Sequence, residues 1–398
     1  MHIKRHMWKA DLQIVLVAVL ALCAATLIPV DSAQAGFKVL HAFDALDRSD
    51  GNNPTGALTR KAHILYGATE NGGTYDFGSV FRLAPDGTES LLHSFTGADG
   101  AYPHGGLIMD TLGNLFGTTS SGGTDDDGTV FKLAPDGTLA TLYTFTGGSD
   151  GADPEGVIAD KVGNLYGTTQ VGGAYNVGMV FKLAPDGALT TLYSFTGGSD
   201  GRYPAAGLIM DRAGNFYSTT QQGGASNYGN VFKLRPDGTL TTLYSFKGGT
   251  DGEFPLAGLV MDGDKNLYGT TNLGGIGNFG TVFKVTQRGE ETVLHSFTGG
   301  DGRSPQGGVI MDKGGNLYGT AAGGGDHDVG VMYELSVDGA FSVLHSFDGK
   351  DGGAPNGSLI MGHRGKLYGT ARLYGRHLGG TVFSLLRNDL AAASEDER

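Results

Sequence analysis

The sequence of 398 residues contains 71 glycines and 17% charged residues, and its formal net charge is −13. So much glycine without a Gly-X-Y period excludes collagen, and so acidic a chain excludes nucleic acid and anionic membranes as natural partners. After residue 36 the apolar runs are short and bounded by Gly, Asp, Asn and Pro. This pattern predicts an all-β fold.

The N-terminus has the pattern of a cleavable secretory signal. Basic residues such as Lys4 and Arg5 precede a long apolar stretch, and residues 33–35 read Ala-Gln-Ala. These features predict a signal peptide over residues 1–35 that is cut after Ala35. The mature chain is then secreted or periplasmic and has no membrane span. A retained membrane anchor is the alternative interpretation.

A repeat with a period of 50 or 51 residues dominates the remainder of the chain. Its most regular copy is Gly-Asn-Leu-Tyr-Gly-Thr-Thr at residues 163–169. The aromatic residue of this stretch recurs as Tyr66, Phe116, Tyr166, Tyr217, Tyr268, Tyr318 and Tyr368. A fixed period of this size indicates one supersecondary unit that is repeated along the chain.

Each repeat is predicted to contain four strands, named A to D. In the copy that ends at Phe195 they fall at residues 156–160, 165–169, 179–183 and 189–195. A tight turn that contains Gly163 and Asn164 joins strands A and B, and Pro-Asp-Gly at 185–187 joins strands C and D. The A–B and C–D turns share one face, and the longer B–C and D–A loops share the other.

The number of copies of strands C and D predicts how the repeats are arranged. The central aromatic residue of strand C recurs as Phe81, Phe131, Phe181, Phe232, Phe283, Tyr333 and Phe383. The last residue of strand D recurs as Phe43, Phe95, Phe145, Phe195, Phe246, Phe297 and Phe347. The first strand D, at 37–43, precedes any strand A, and the last repeat stops after strand C at Leu386.

One unit is therefore divided between the two ends of the chain, which a closed ring explains and a linear solenoid does not. The sequence predicts a seven-bladed β-propeller with four strands per blade, in which the N-terminal strand closes the last blade. The propeller is expected over residues 36–388 and a polar tail over residues 389–398.

The repeat motifs also resemble those of a known family. The succession Gly-Asn-Leu-Tyr-Gly-Thr-Thr, Gly-Gly, Gly-x-Val-Phe-Lys-Leu and Pro-Asp-Gly over roughly residues 37–386 resembles the Gloeo/Verruco (GloVer) tandem-repeat family of exported bacterial proteins. The resemblance implies a propeller-like repeat protein outside the cytoplasm. It implies no settled activity and brings no catalytic residues.

Aromatic residues in the B–C and D–A loops are candidates for ligand binding, because exposed rings suit the faces of sugars and protein partners. The candidates are Tyr75, Tyr102, Tyr175, Tyr203, Tyr228 and Phe254. Packing between adjacent loops is the alternative interpretation of the same residues.

Departures from the repeat identify a second group of candidates. His104, His327 and His377 occur in loops where other repeats have no histidine, and Asp326 and Asp328 flank His327. Such residues bind a ligand or a divalent cation, or act as acid and base, if the loops converge. The alternative is that they are solvated residues of variable loops. No catalytic residue and no metal ligand is assigned.

A third recurring feature is an aspartate that precedes Gly in every D–A loop. Its copies are Asp50, Asp99, Asp150, Asp200, Asp251, Asp301 and Asp351. A ring of carboxylates that attracts cations is one interpretation, and an Asx-turn that shapes each loop is the preferred one. Because the same aspartate occurs in all seven units, a structural role is favoured, since a catalytic site requires different groups in different roles.

The sequence predicts an exported propeller that acts as a binding or scaffold module for an extracellular or cell-envelope ligand. The ligand would be a glycan or a protein bound through the B–C and D–A loop face, by a monomer that needs no cofactor. The alternative is a metal-dependent lyase or hydrolase with its site at the channel mouth, for which a divalent cation would be needed.

Overall fold

The computed structural model describes residues 36–47 and 49–387. The predicted signal peptide (1–35) and polar tail (389–398) lie outside the described residues. Within the described ranges, no helix has the length and apolar character needed to cross a membrane. The regular secondary structure of the described residues consists almost entirely of short strands, in agreement with the predicted all-β class.

The strands of the first half of the chain run from the N-terminus to the third blade. They are β1 (Phe37–Asp44), β2 (Asn52–Lys61), β3 (Ile64–Asn71), β4 (Ser79–Leu83), β5 (Glu89–Ser94), β6 (Ala101–Pro103), β7 (Ile108–Met109), β8 (Leu115–Ser121), β9 (Thr129–Leu133), β10 (Leu139–Thr144), β11 (Ala152–Pro154), β12 (Ile158–Ala159), β13 (Leu165–Val171), β14 (Met179–Leu183) and β15 (Leu189–Ser194).

The second half continues the same pattern through four further blades. Its strands are β16 (Ile209–Met210), β17 (Phe216–Thr220), β18 (Asn230–Leu234), β19 (Leu240–Ser245), β20 (Val260–Met261), β21 (Leu267–Thr271), β22 (Thr281–Val285), β23 (Glu291–Ser296), β24 (Ile310–Met311), β25 (Leu317–Ala321), β26 (Val331–Leu335), β27 (Phe341–Ser346), β28 (Ile360–Met361), β29 (Leu367–Ala371) and β30 (Leu378–Leu385).

These strands form seven antiparallel sheets that are the blades of a seven-bladed β-propeller. Blade 1 has the order β2-β3-β4-β5, and blades 2 to 6 repeat this arrangement in sequence, with two short strands in place of β2 in blades 2 and 3. Blade 7 has the order β1-β30-β29-β28, in which Phe37 pairs with Leu385 and Ala42 with Thr381. The predicted closure of the last blade by the N-terminal strand is therefore confirmed.

Strand A is the element that differs from its prediction. In blade 3 the ladder holds only β12, where residues 156–160 were expected, and a separate strand, β11, pairs with the far end of β13. The intervening residues leave the ladder because they approach the neighbouring blades at the ring centre. Strand C, at Met179–Leu183, has the predicted bounds.

Each residue of the recurring Gly-Asn-Leu-Tyr-Gly-Thr-Thr stretch has an architectural contact. Gly163 has a φ of 90° in the A–B turn, a conformation that favours glycine. Asn164 donates through its backbone and side chain to Asp160 at 2.9 and 2.6 Å, and Tyr166 Oη donates to the same carboxylate at 3.0 Å. A Cβ at Gly167 would lie 2.7 Å from the ring of Phe181.

The hydrophobic core lies between blades rather than inside them. Seven clusters of buried residues each combine strands C and D of one blade with strands A to C of the next. In every cluster a Phe that directly follows strand D, or in β1 is its second-last residue, meets the aromatic residue of the next strand C nearly edge to face. The pairs are Phe43–Phe81, Phe95–Phe131, Phe145–Phe181, Phe195–Phe232, Phe246–Phe283, Phe297–Tyr333 and Phe347–Phe383.

The aromatic contact between blade 7 and blade 1, where the ring closes, has the same geometry as the contacts between consecutive blades elsewhere. The Phe43 and Phe81 rings are 5.2 Å apart, and the Phe195 and Phe232 rings are 5.3 Å apart. Both Phe43 and Phe195 are fully buried. We therefore expect Phe43→Ala and Phe195→Ala to lower the free energy of unfolding by similar amounts, about 3–5 kcal/mol each, measured by urea denaturation.

The exposed Lys38 of the same strand provides a control, since Lys38→Ala is expected to leave stability unchanged within about 0.5 kcal/mol. Deleting residues 37–43 would expose the edge of β30 and is expected to cause aggregation. If Phe43→Ala lowered the free energy of unfolding far less than Phe195→Ala does, the result would contradict a closed ring.

Candidate functional site

A cavity of about 560 Å³ occupies the centre of the ring, and all seven blades line it. The lining comes mainly from the segment that follows the proline of each D–A loop, which precedes strand A in blades 2 to 7 and lies within β2 in blade 1. Proline fixes φ there and holds the backbone extended, so the next residue is delivered to the same place in every blade. The volume falls in the range of about 300–1,000 Å³ that is typical of small-molecule sites.

The residue after this proline is different in each blade, although the architecture around it is repeated. In blades 1 to 7 it is Thr55, His104, Glu155, Ala205, Leu256, Gln306 and Asn356, and all seven line the cavity. We call this set the channel ring. It is polar in five consecutive blades, from Gln306 in blade 6 through blades 7, 1 and 2 to Glu155 in blade 3, and apolar at Ala205 and Leu256.

A second set of polar groups comes from the ends of the B strands. Gln170 and Gln221, which follow the Thr-Thr pairs of blades 3 and 4, also line the cavity. At the equivalent position of blade 7, Arg372 forms an ion pair with Glu70 of blade 1, with Nε to Oε2 at 2.8 Å. This contact joins the two blades that meet where the ring closes.

Glu155 is the one carboxylate among the residues that line the cavity. Its side chain is buried, and its Oε1 accepts a hydrogen bond from Gln170 Nε2 at 2.7 Å. Burial raises the pKa of Glu155, and His104 and the Gln170 hydrogen bond oppose that shift only in part. Burial likewise raises the pKa of Asp153 in the adjoining loop, against the influence of His104. The site therefore combines hydroxyl, amide and carboxyl groups, and burial disfavours the charge of the carboxyl groups.

At the residues that directly follow the channel ring in the sequence, the backbones of adjacent blades come into direct contact. Glycine recurs there because a Cβ would not fit: at Gly357 it would lie 2.4 Å from Gly56 O, and at Gly105 it would lie 2.5 Å from Gly156 Cα. The first threonine of each Thr-Thr pair ties these segments together. One example is Thr168, whose Oγ1 donates to Ala206 O of the next blade at 3.1 Å.

This packing predicts a sharp difference between two glycine substitutions. Gly357→Ala places a methyl group against the backbone of blade 1 and is expected to lower the free energy of unfolding by about 1–3 kcal/mol. Gly263→Ala is the matched control, since nothing lies within 4 Å of the position of its Cβ. Thermal unfolding of both variants checks the expectation, and equal midpoints would contradict it.

The aspartate of each D–A loop pairs with a histidine or tyrosine of the preceding strand D, at 2.6–3.0 Å. The pairs are His41–Asp50, His93–Asp99, Tyr143–Asp150, Tyr193–Asp200, Tyr244–Asp251, His295–Asp301 and His345–Asp351. Their carboxylates also accept from residues that precede them, such as Thr146 N to Asp150 Oδ2 at 3.0 Å. The aspartates thus shape the loops, but not through the predicted Asx-turns.

These pairs explain why histidine and tyrosine exchange at one position of strand D. Each offers an apolar ring and a donor that reaches the aspartate. Burial and the hydrogen bond to Asp150 raise the pKa of Tyr143 to about 12, so it remains a donor. Burial alone would raise the pKa of Asp301, but hydrogen bonds from His295 and Thr298 outweigh it and the pKa lies below its ordinary value.

Two glutamates beside these pairs introduce a dependence of stability on pH. Burial raises the pKa of Glu89, which faces His41 and Asp50, to about 7. Burial and the nearby Asp251 carboxylate raise the pKa of Glu291 to about 7 as well. Because the folded pKa exceeds the ordinary value of 4.5, folding takes up protons. The stability that these groups contribute is complete below pH 4.5 and is lost as the pH rises through about 7.

The double variant Glu89→Gln, Glu291→Gln tests this dependence, because glutamine mimics the neutral acid at every pH. Its midpoint of thermal unfolding is expected to exceed that of the wild type at pH 8, and the difference is expected to shrink at pH 5. Glu290→Gln is the control, since Glu290 is exposed. A difference that is the same at both pH values would count against the raised pKa values.

The predicted aromatic residues occupy two different environments. Tyr75 and Tyr175 stand at the tips of B–C loops and are 56% and 60% exposed. Tyr102 packs against Phe77 of the preceding blade with ring centres 6.0 Å apart. Tyr228 and Phe254 pack against each other between loops in the same way, at 5.8 Å, whereas Tyr203 contacts its own neighbour, with the guanidinium of Arg202 5.4 Å from its ring.

The three predicted histidines are not brought together in one site. His104 lines the channel cavity, whereas His327 and His377 are exposed in the B–C loops of blades 6 and 7 and do not line it. His377 Nδ1 lies 3.9 Å from Asp44 Oδ2. Within residues 36–47 and 49–387, no group of three or more His, Cys, Asp or Glu side chains is arranged to hold a metal ion.

Most of the channel ring was not identified from the sequence. Of its members only His104 was predicted, and Glu155, Gln306 and Asn356 were not. A signal was nevertheless present, because the residue after each recurring proline differs in chemical character from one repeat to the next. The pattern of glycine and proline around it fixes the backbone and leaves this side chain free to vary.

The fold and its cavity define the class of the protein as a seven-bladed propeller with a ligand-sized central channel. The model of the Gloeobacter/Verrucomicrobia repeat matches residues 24–215, 113–315 and 292–393. The chain belongs to this repeat family, as its motifs predicted. No curated protein sequence matches it significantly.

Solved structures share the fold at low sequence identity. The extracellular domain of BT4673 from B. thetaiotaomicron has a TM-score of 0.58 at 10% identity, over 88% of this chain and 40% of that chain. A puromycin-hydrolyzing peptidase of Mycobacterium tuberculosis has a TM-score of 0.57 at 13% identity, over 85% of this chain and 51% of that chain. The extracellular domain of BT3049 from B. thetaiotaomicron has a TM-score of 0.55 at 15% identity, over 90% and 42%.

Proposed function

We propose that the protein is an exported recognition module that binds a saccharide at the mouth of its central channel. The observation that carries this proposal is the channel ring. A position that the fold delivers seven times to one cavity holds seven different side chains, and a binding site needs such unequal groups whereas the architecture does not.

The chemistry of the cavity suits a ligand rich in hydroxyl groups. Gln170, Gln221, Gln306 and Asn356 each offer an amide that both donates and accepts, which matches the dual character of a sugar hydroxyl. Leu256, like Ala205 beside it, offers an apolar wall for the C–H face of a sugar ring. The cavity holds few formal charges, so a neutral ligand is favoured over a strongly charged one.

The exposed loop face extends the site outward. Tyr75 and Tyr175 project from B–C loops on the side of the ring where the D–A loops also lie, and exposed tyrosines suit the stacking of further sugar units. A protein ligand that lies across this face is the other predicted partner. The extracellular origin of two of the structures that share the fold supports a location outside the cytoplasm.

The alternative of a metal-dependent lyase or hydrolase gains no observation of its own. His327 and His377 lie outside the channel, and the channel presents one histidine and one carboxylate among its lining residues. The role of a divalent cation stays a prediction that calorimetry with Ca²⁺ or Zn²⁺ can address.

A glycan array followed by titration calorimetry of the best binder tests the proposal. The double variant Gln306→Ala, Asn356→Ala removes two amides from the channel and is expected to weaken binding by about tenfold or more, since each hydrogen bond contributes about 0.5–1.5 kcal/mol. The double variant Tyr75→Ala, Tyr175→Ala is the matched control for the loop face and is expected to weaken only longer saccharides.

Circular dichroism establishes that both variants remain folded. Binding of no glycan, or binding that is lost in the tyrosine variant and unchanged in the channel variant, would contradict recognition at the channel. The second result would favour a ligand that lies across the loops.

A further inference from the structure

The setting of Glu155 is unusual for a carboxyl group. Glu155 follows Pro154 in the channel ring and is only 6% exposed, yet it lines the cavity. Gln170 Nε2 donates to its Oε1 at 2.7 Å, and its backbone nitrogen donates to Thr168 O at 2.9 Å. Among residues 36–47 and 49–387 the carboxyl group has no ion pair and no hydrogen-bond partner at Oε2.

A carboxyl group placed in this way is more stable without its charge. Removing a carboxylate from water is costly unless a cation or several donors compensate for it, and here one amide does so. The titratable groups that face Glu155 are His104 of blade 2 and Asp153 of its own loop. Asp153 acts with burial to disfavour the charge, and His104 acts against them.

A neutral carboxyl group in this position has one specific capability. Its Oε1 is already occupied by Gln170, so the proton resides on Oε2, and the O–H needs an acceptor. The acceptor then has to come from the contents of the cavity. A hydroxyl, ring or carbonyl oxygen of a ligand satisfies this requirement, whereas an ammonium group does not.

We propose that Glu155 binds the ligand as a carboxylic acid that donates its Oε2 hydrogen to a ligand oxygen, so that ligand and proton are held together. This inference rests on the proposed function, because it concerns the same channel and the same oxygen-rich class of ligand. No bond is made or broken, and one proton is retained on Glu155 for each ligand bound. Ionisation of Glu155 turns the donor into an acceptor and releases the ligand.

The repeat supplies a matched variant for the test. Gln306 occupies in blade 6 the position that Glu155 occupies in blade 3, so glutamine is compatible with this backbone. Glu155→Gln keeps the size of the side chain and a donor, and it removes only the titration. His104→Gln removes the other titratable group of the channel ring, and it separates the contribution of that histidine.

The experiment measures binding of neutral saccharides as a function of pH. A panel of methyl glycosides and neutral disaccharides is screened by saturation-transfer NMR at pH 5 and pH 9, and the affinity of the best binder is then measured by calorimetry across that range. The wild type and His104→Gln are expected to lose about tenfold or more in affinity toward pH 9. Glu155→Gln is expected to change by less than about twofold.

Two results would overturn the inference. The first is a pH dependence that persists in Glu155→Gln, and the second is one that disappears in His104→Gln, because the titrating group would then be the histidine. A direct measurement needs no ligand: the ¹³C carboxyl signal that Glu155→Gln removes is expected to titrate above the ordinary range of glutamate. Titration at its ordinary value would refute the neutral acid even if the screen found no saccharide, and an empty screen with a raised pKa would refute the proposed function alone.

Discussion

The structure depends on an aromatic contact that no blade can make by itself. The side chains of Phe43 and its six counterparts each contact a ring on strand C of the next blade, with ring centres 5.1–5.4 Å apart. Because the buried clusters lie between blades, a single repeat has only half of a core on each side. Closing the ring is the arrangement that completes all seven clusters, and this constraint accounts for the division of blade 7 between the chain ends.

The outer part of each blade was predictable because its determinants are local. Strand C is a short run of buried, mostly apolar residues, and the Pro-Asp-Gly turn specifies the hairpin to strand D, so that Met179–Leu183 was located with its observed bounds. Strand A was not, since its length depends on contacts at the ring centre. Residues such as Gly156 leave the ladder to approach the backbone of the preceding blade, and no local pattern encodes that distance.

The candidate site was predictable only where a residue looked foreign to its repeat. His104 has no histidine counterpart and was found, whereas Gln306 resembles any polar loop residue and was not. Comparison of the repeats shows at which positions the fold does not require a particular residue. It does not show in which direction the side chain points, because that direction depends on the geometry of the ring. The same limit applies to the aromatic residues, of which Tyr75 is exposed while Tyr228 packs against Phe254.

The pairing of β1 with β30 also sets an order of events. The ribosome makes β1 first and its partner last, so blade 7 is completed only after every other blade exists. Until then Phe37 and Phe43 have no sheet to join, and β30 adds to an open edge. Among the strand pairs of the described residues, β1 and β30 are therefore the pair with the greatest separation along the chain. Integrity of the ring therefore requires that every strand from β1 to β30 has been made.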